Sequence, residues 1–302
     1  MKLKITTKTY NWCPLIFVNI GVNHIFAKKM SDVHKCLLET LYCLDDICNR
    51  NGIDYYMEGG SLLGAVRNGR LIPWDDDIDV EMTRENFNKL MALPESEFPE
   101  GYGVIDPQGK DERHVFLPQF MNTNHKVLMH RIEGHEEEEY GDVTLDIFVL
   151  DETRNKITHK IQSLIFIYLQ LVDENYVNYR DKVHLHRRYW PIYWTLKVLA
   201  KISSLFLNPD RVIRLHRFFA QMYNGKNCRY YFPSDSMMVF QIFEKEWYSE
   251  KAFVKLDGRD IPTMKGYKDY LIFEFGEDYM TPPPVEERTT KHCDIEFDIP
   301  IE

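Results

Sequence analysis

The stretch from Glu58 to Glu81 constrains the fold more than any other part of the chain, because it joins a turn of small residues to an alternating run of acids. Asp77, Asp79 and Glu81 alternate with apolar residues, and successive side chains of a β-strand point to opposite faces. The pattern therefore predicts a strand with one acidic face and one apolar face. Carboxylates on one face repel each other unless a positive charge lies between them, and a metal ion often supplies that charge.

The bulk composition is that of a globular protein with an acidic surface. Of the 302 residues, 44% are hydrophobic and 28% are charged, and a chain of this length forms one large domain or two smaller ones. The 37 Lys and Arg and the 47 Asp and Glu give a formal net charge of −10. Because an acidic surface repels the phosphates of a nucleic acid, we expect no nucleic acid partner.

The cysteines and the N-terminal residues bear on location. The 6 cysteines have neither the spacing of a zinc site nor the density of a secreted disulfide scaffold, which predicts a reducing compartment, the cytoplasm. Residues 12–22 form an apolar run that is too short to span a bilayer and lacks the flanks of a secretion signal. We expect a first strand or a docking segment there.

Local signals predict the elements on both sides of the acidic strand. Ser31 is expected to cap a helix that ends before Gly52, and Thr83 is expected to cap another that begins at Arg84. A short strand over residues 53–57 leads into the small-residue turn. This order of helices and strands favours a mixed sheet with helices packed on it.

Two further segments complete the predicted sheet. Residues 115–132 are expected to form a hairpin that turns around Asn122. Residues 143–149 are expected to form a mostly apolar, β-branched strand with Asp146 in its middle. A carboxylate in such a strand is costly to bury unless it is paired or binds a metal ion.

The small-residue turn is a candidate phosphate site. Its two glycines let the backbone approach an anion, its serine adds a hydroxyl donor, and a helix expected over residues 62–68 begins directly after it. Two arginines that follow can neutralise a diphosphate. Turns of this composition more often serve only as turns, and arginines at a helix end also occur as plain surface residues. The candidate residues are Gly59, Gly60, Ser61, Arg67 and Arg70.

The acids are candidate metal ligands. Asp77 and Asp79 at alternate positions suit Mg²⁺ or Mn²⁺, which bind few protein carboxylates and complete their shells with water and phosphate. If the strand that carries Asp146 lies beside them, Asp146 either ligates the metal or takes the proton from an attacking hydroxyl. Asp75 and Asp76 are expected in supporting or surface positions. The alternative is an edge strand whose charges face water.

The character of the chain changes from about residue 158. Apolar helical patterns over residues 161–172 and 196–207 enclose a segment rich in aromatic and basic residues. Such a combination is typical of peripheral contact with a membrane. It is equally typical of a helical domain with a buried aromatic core.

The motif between Gly60 and Asp79 resembles the one that characterises the LicD family, which includes the fukutin-like proteins and belongs to the nucleotidyltransferase superfamily. The stretches Gly-Ser-Leu-Leu-Gly-Ala-Val-Arg and Ile-Pro-Trp-Asp-Asp-Asp-Ile-Asp follow the family pattern almost throughout. The third acid of the superfamily corresponds to Asp146, within Asp-Ile-Phe-Val-Leu-Asp. The resemblance covers about residues 33–151 and 253–292.

The resemblance implies an α+β fold. Its nucleotidyltransferase-like mixed sheet would be flanked by helices and extended by a largely helical, aromatic-rich insertion and a C-terminal extension. We expect an N-terminal segment over residues 1–30, a catalytic core over residues 31–152, a helical region over residues 153–250 and a C-terminal segment over residues 251–302 that packs on the core.

The resemblance also implies a transferase. The enzyme would move a phospho group, phosphocholine or a phospho-alditol, from CDP-choline or a CDP-alditol to a hydroxyl of a glycan or teichoic-acid precursor, releasing CMP. Asp77, Asp79 and Asp146 would hold Mg²⁺ or Mn²⁺ at the donor diphosphate, and the enzyme would work in the cytoplasm or at the inner face of the cell membrane. Arg288 and His292 either contact phosphate or acceptor or lie at a basic surface.

Two alternatives stay open. One is a nucleotidyltransferase that adds a nucleoside monophosphate to the hydroxyl of a small molecule. The other is a catalytically silent protein that binds a nucleotide or a glycan.

Overall fold

The computed structural model describes residues 25–106, 112–113, 116–129, 140–176, 178–179, 190–234, 240–290, 293 and 295–299. The helices in these residues are α1 (Met30–Asn51), α2 (Gly59–Asn68), α3 (Arg84–Met91), α4 (Lys156–Asp173), α5 (Trp190–Ser203), α6 (Pro209–Gln221) and α7 (Tyr267–Phe275). The strands are β1 (Phe26–Ala27), β2 (Tyr56–Met57), β3 (Asp79–Thr83), β4 (Tyr102–Ile105), β5 (Glu112–Arg113), β6 (Gln119–Leu128), β7 (Tyr140–Thr153), β8 (Asn178–Tyr179), β9 (Tyr230–Pro233), β10 (Phe243–Glu244), β11 (Lys251–Leu256) and β12 (Arg259–Met264).

A mixed sheet of eight strands organises the molecule. Its central order is β1-β6-β7-β3-β2, with β4 paired to β6, β9 paired to β7 and β10 paired to β9. The long strand β7 is antiparallel to β6 and parallel to β3, and β2 is antiparallel to β3. Helices pack on this sheet, so the fold is α+β, as the sequence predicted.

Helix α1 is amphipathic, as its sequence predicted. Val33, Leu37 and Leu41 recur at the helical period and are buried in the main hydrophobic core. Residues of the sheet belong to the same core. The helix ends at Gly52, whose φ of 63° lies in the left-handed region that glycine adopts without strain.

The cap predicted for α1 was wrong. Ser31 lies inside the first turn, and the residue before the helix, Lys29, makes no side-chain capping bond. Asp298, far along the chain, accepts hydrogen bonds from the Ser31 backbone N–H (2.9 Å) and hydroxyl (2.6 Å). The Asp298 carboxylate, which the tertiary fold brings to the start of α1, therefore bonds a backbone N–H that a local capping residue would otherwise bond.

The predicted hairpin was also wrong over its described part, since β6 runs through the expected turn as one strand with a bulge between Asn122 and Lys126. The buried Asn122 side chain donates to Thr40 Oγ1 on α1 (3.0 Å) and accepts from the Asn124 N–H (3.0 Å). These bonds hold the asparagine in the sheet, where the sequence pattern indicated a turn.

Helix α2 begins earlier than expected. It starts at Gly59, so the Gly-Gly-Ser turn forms its first turn, and Glu58 occupies the capping position. The helix ends at Gly69 with a φ of 67°, as predicted. The N–H groups of this first turn have no partners within the helix itself, and such groups are satisfied by other parts of the protein, by water or by an anion.

The region after residue 153 supplies α4, α5 and α6, but it is not only helical. Its strand β9 pairs with β7 and so extends the central sheet. A second hydrophobic cluster lies between these helices and β9, with Phe166, Leu169 and Phe232 among its buried members. In the described residues no helix is both long enough and apolar enough to cross a membrane. The apolar run at residues 12–22 lies outside the described residues.

Candidate functional site

Four polar side chains form one row across neighbouring strands at one face of the sheet. Asp79 on β3 is the Cα partner of Asp146 on β7, and Asp146 is in turn the partner of Gln119 on β6. On the other side, the Glu58 N–H donates to the Asp79 carbonyl (3.3 Å), which continues the pairing of β2 with β3. The polar row therefore runs Glu58, Asp79, Asp146, Gln119.

Strand pairing brings the predicted acids together. The apolar partners Ile78, Val80 and Met82 are buried, as the alternation predicted. Asp77 precedes β3 on the same face as Asp79, and it lines a cleft together with Asp146. The three predicted metal ligands thus lie on the same part of the sheet.

Gln119 fixes the orientation of Asp146. Its Nε2 donates to Asp146 Oδ1 over 2.6 Å. An amide that donates to one carboxylate oxygen orients the other without adding charge, which suits a carboxylate that ligates a metal ion or accepts a proton.

Two tyrosines from the C-terminal part of the chain hold the neighbouring glutamates. The Tyr270 hydroxyl on α7 donates to Glu58 and accepts from the Gly59 N–H (3.1 Å). The Tyr248 hydroxyl donates to Glu81 over 2.7 Å. Both glutamates are buried, so these hydroxyls supply the hydrogen bonds that water would otherwise make.

The glycines of the predicted phosphate turn allow two carboxylates to approach the start of α2. A Cβ built on Gly59, which has a φ of 55°, would lie 3.2 Å from Asp79 Oδ2. A Cβ on Gly60 would lie 2.2 Å from Asp75 Oδ2. The two glycines therefore let the helix N-terminus meet the acids at a distance that a side chain would prevent.

The remaining phosphate-site candidates lie in different settings. Ser61 is buried, and its Oγ accepts from the Asp79 N–H (3.2 Å), so it ties α2 to β3. Arg67 donates from Nε to the Tyr279 carbonyl (2.7 Å) and from its terminal nitrogen to the Thr281 carbonyl (3.1 Å). Arg70 is exposed. The structure thus places Ser61 next to the acids and fastens Arg67 to the C-terminal segment.

A cleft opens beside the polar row. Its apolar lining comes from side chains of α1, β6 and β7 together with Met129 and Cys293, and its polar lining comes from Asp76, Asp77, Gln119, Asp142, Thr144 and Asp146. Its empty space is about 560 Å³ including the part open to solvent. The cleft provides a place for a substrate next to the acids.

The acids expected in supporting positions are buried. The carbonyl of Asp75 is 2.8 Å from His34 Nε2, and Asp76 accepts from the Cys293 N–H (2.7 Å). The C-terminal segment therefore contributes directly to the wall of the site. Arg288 belongs to the same segment, and its guanidinium stacks 4.9 Å from the ring centre of Trp74. His292 lies outside the described residues.

The electrostatics of the polar row disfavour negative charge. Burial raises the pKa of Asp79 well above its ordinary value, and repulsion from Asp77, Glu58 and Asp146 raises it further. Burial likewise raises the pKa of Glu58 to about 7, although the Tyr270 hydrogen bond lowers it. A bound cation would relieve this repulsion.

The donor set fits a divalent cation that is shared with a substrate. Asp77, Asp79 and Asp146 offer the hard oxygens that Mg²⁺ and Mn²⁺ prefer. In the described part of the chain, no three His, Cys, Asp or Glu side chains are already grouped to hold a metal ion by themselves. The assignment of Mg²⁺ or Mn²⁺ to these acids therefore stays a prediction.

The sequence reasoning missed four residues of this region: Glu58, Gln119, Tyr248 and Tyr270. Glu58 stands directly before the glycine turn, and its position beside the predicted phosphate site was an available signal. The other three reach the site through tertiary contacts that no local pattern indicates.

Fold and site define an α+β protein whose acid-lined cleft lies at the N-terminus of a helix. Residues 52–162 match the family model LicD, described as "LicD/FKTN/FKRP, nucleotidyltransferase domain". This part of the chain is a LicD-family domain, which confirms the resemblance seen in the sequence.

Named relatives agree with the family match. The "Lipopolysaccharide cholinephosphotransferase LicD" of Haemophilus influenzae is 26% identical over 255 residues, which are 82% of this chain and 89% of that protein. The "Ribitol 5-phosphate transferase FKRP" of Homo sapiens is 33% identical over 96 residues, which are 30% of this chain and 19% of that protein. The FKRP of Mus musculus gives the same identity and coverage. The chain therefore matches most of the bacterial relative and about a fifth of the FKRP proteins.

Proposed function

We propose that this protein transfers a phospho group, phosphocholine or a phospho-alditol, from a CDP-activated donor to a glycan hydroxyl with release of CMP. The observation that carries the proposal is the polar row, in which Asp79 and Asp146 are Cα partners next to the N-terminus of α2. The names of two relatives, cholinephosphotransferase and ribitol 5-phosphate transferase, describe transfer of phospho groups that carry different head groups.

Residues 31–152 would form the nucleotidyltransferase-like catalytic core, with residues 251–302 packed on it and residues 153–250 as the helical region. The hydrogen bond from Tyr270 to Glu58 of the core supports the packing of residues 251–302 on it. The acceptor would be a glycan or a teichoic-acid precursor, reached in the cytoplasm at the inner face of the cell membrane.

Asp77, Asp79 and Asp146 would hold Mg²⁺ or Mn²⁺, which when bound would neutralise the donor diphosphate. The N–H of Gly60, in the first turn of α2, would face the same phosphates, while the N–H of Gly59 donates to the Tyr270 hydroxyl. Arg70, exposed after this helix, would add positive charge, while Ser61 and Arg67 would hold α2 in place.

The reaction needs only positioning, charge neutralisation and one proton transfer. The acceptor oxygen forms a bond to the phosphorus that bears the head group, and the bond from that phosphorus to the oxygen of CMP breaks. CMP leaves with that oxygen and its electron pair. A carboxylate of the polar row would accept the proton of the acceptor hydroxyl, and Asp146, oriented by Gln119, would do so if Asp77 and Asp79 alone hold the metal ion.

Product analysis tests the proposal. The purified chain is incubated with Mg²⁺, a glycan acceptor mixture and either CDP-choline or CDP-ribitol, and the nucleotide product is identified by chromatography. We expect CMP with one donor, at a rate reduced about a hundredfold or more in Asp146→Asn. Asp260→Asn is the matched control, because Asp260 is 62% exposed and pairs only with Lys255 in the described structure. Absence of CMP with every donor would overturn the proposal.

The family description favours a second candidate, transfer of a nucleoside monophosphate, because it names a nucleotidyltransferase domain. Such an enzyme consumes a nucleoside triphosphate and releases pyrophosphate, so the same experiment with CTP and ATP separates the two reactions. Nucleotide binding without any product would instead indicate the catalytically silent protein.

A further inference from the structure

Helices α4 and α5 carry exposed apolar residues that the polar row does not use. On α4, Ile157, Ile161 and Leu164 are 74%, 55% and 61% exposed and recur at the helical period. Val198 and Ile202 on α5 are 59% and 53% exposed, and Leu205, just after α5, is 75% exposed. We call these six residues the α4–α5 surface.

Contacts between the two helices hold α4 and α5 side by side. Lys197 on α5 lies 3.7 Å from Glu174, at the C-terminal end of α4. Ser203, at the other end of α5, shares a 2.7 Å hydrogen bond with Tyr168. The helices are therefore antiparallel, and the same alignment brings the segment after α5 level with Leu164.

The fold itself does not account for the α4–α5 surface. The opposite side of α4 already supplies Phe166 and Leu169 to the second hydrophobic cluster. A helix that is apolar on both sides usually has a partner on both, and soluble monomers rarely expose a large continuous apolar patch.

The charge around the α4–α5 surface has the opposite sign to the rest of the molecule. The described residues of this region, 156–176 and 190–217, contain seven Lys and Arg but only three Asp and Glu, a local net charge of +4 in a chain with a net charge of −10. Lys156, Lys160 and Lys201 are exposed among the apolar residues and form no ion pair within the described structure. A second copy that met this surface face to face would meet like charge, whereas an anionic lipid leaflet offers both opposite charge and an apolar interior.

We propose that the α4–α5 surface docks on the anionic leaflet of a lipid bilayer. Its apolar side chains enter the boundary between headgroups and acyl chains, and its lysines remain at the level of the headgroups. The helices lie in the plane of the interface. The proposal rests on these helices alone and not on the reaction proposed above.

Vesicle co-sedimentation tests the docking surface with the full chain. We expect the protein to pellet with vesicles of phosphatidylcholine that contain about one quarter phosphatidylserine, and to be released by high salt. Leu164→Glu combined with Leu205→Glu should weaken binding at least tenfold. Phe253→Glu is the matched control, because Phe253 is 60% exposed on β11, outside the α4–α5 surface. Failure of the protein to bind, or equal binding by all variants, would overturn the proposal.

A charge variant and a mass measurement complete the test. Lys156→Gln combined with Lys160→Gln should lower affinity for the same vesicles about tenfold or more, because each lysine near an anionic surface contributes about fivefold. Light scattering without lipid reports the oligomeric state of each variant. A dimer that Leu205→Glu converts to a monomer, with no vesicle binding by the unmodified chain, would overturn the proposal in favour of self-association. CMP release from a soluble donor should be the same in all of these variants.

Discussion

The central residue of the site is Asp79, which lies in the sheet between Glu58 and Asp146 and directly follows the apolar Ile78. Burial and four neighbouring carboxylates raise its pKa, so its charged form is unfavourable in the protein without a cation. A buried carboxylate among other carboxylates lowers the free energy of unfolding. Proteins keep such unfavourable charges mostly at functional sites.

We therefore expect Asp79→Asn to stabilise the metal-free protein while it impairs metal binding. The amide keeps the shape of the side chain but removes one buried charge from the polar row. The melting temperature in EDTA at pH 8 should rise by roughly 3 °C, the change that about 1 kcal/mol produces in a chain of this size. The exposed Asp260→Asn serves as control and should change little.

The sign of the pH dependence follows from the same cause. A carboxylate whose folded-state pKa is raised costs stability as the pH rises through that pKa, and the pKa of Glu58 is about 7. The advantage of Asp79→Asn should thus widen as the pH rises above the ordinary range of a carboxyl group, because burial raises the pKa of Asp79 well above its usual value. A lower melting temperature for the variant at pH 8 would contradict the charge repulsion.

At the scale of elements, α2 and the segment after it form one closely packed unit that positions the acids. A Cβ on Gly64 would lie 2.7 Å from the Arg70 carbonyl oxygen and 2.8 Å from the Ile72 nitrogen. Both atoms belong to backbone that leads into the acidic strand, so they cannot move independently of the site.

Gly64→Ala should consequently destabilise the fold by about 2 kcal/mol or more, as overpacking against backbone does. Gly103→Ala is the matched control, because no atom lies within 4 Å of a Cβ at that position, and it should cost less than about 0.5 kcal/mol. Urea denaturation of the two variants measures the difference. Equal effects of the two substitutions would show that α2 is not closely packed there.

Elements whose limits depend on nearby residues could be predicted from the sequence. Thr83 caps α3 by accepting from the Asn86 N–H, and Gly52 and Gly69 end their helices, as expected. The continuation of β6 through Asn122 could not be predicted, because the bonds that keep this residue in the strand come partly from α1. The cap of α1 depends in the same way on a residue 267 positions away.

The acids of the candidate site could be chosen from the alternation of the sequence and from the cost of burying a carboxylate, which singled out Asp77, Asp79 and Asp146. Gln119 enters the polar row only because β6 pairs with β7 in one particular register. Tyr248 hydrogen-bonds to a residue 167 positions earlier in the chain, a contact that no local pattern encodes.

At the scale of the whole molecule, two hydrophobic clusters share the central sheet, and the second contains a buried histidine. The ring of His216 stacks 4.6 Å from Phe116 and lies 4.4 Å from Phe166, measured between ring centres. Burial and the nearby Arg84 lower the pKa of His216 to about 3. The folded protein therefore keeps this imidazole neutral at a pH where the unfolded chain protonates it.

Acid should destabilise the protein through His216. Between the ordinary pKa of 6.5 and the folded value of about 3, the unfolded state binds one more proton at this position. The free energy of unfolding should consequently fall by up to about 1.4 kcal/mol per pH unit as the pH drops. His216→Phe should remove this part of the slope between pH 6 and pH 4.5, measured by urea denaturation.

Phe166→Leu in the same cluster is the control for the histidine. It removes part of an aromatic ring and should lower stability by a similar amount at every pH, with the slope unchanged. A slope that stays the same in His216→Phe would contradict the assignment of the acid sensitivity to this residue.

Calorimetric titration with CDP-choline, in the presence and absence of Mg²⁺, tests the metal-dependent phosphate site most directly. The intact chain should bind the nucleotide only with Mg²⁺, Asp79→Asn should lose at least tenfold in affinity, and Asp260→Asn should bind as the intact chain does. Undiminished Mg²⁺-dependent binding by Asp79→Asn would contradict the assignment of the polar row as the metal site.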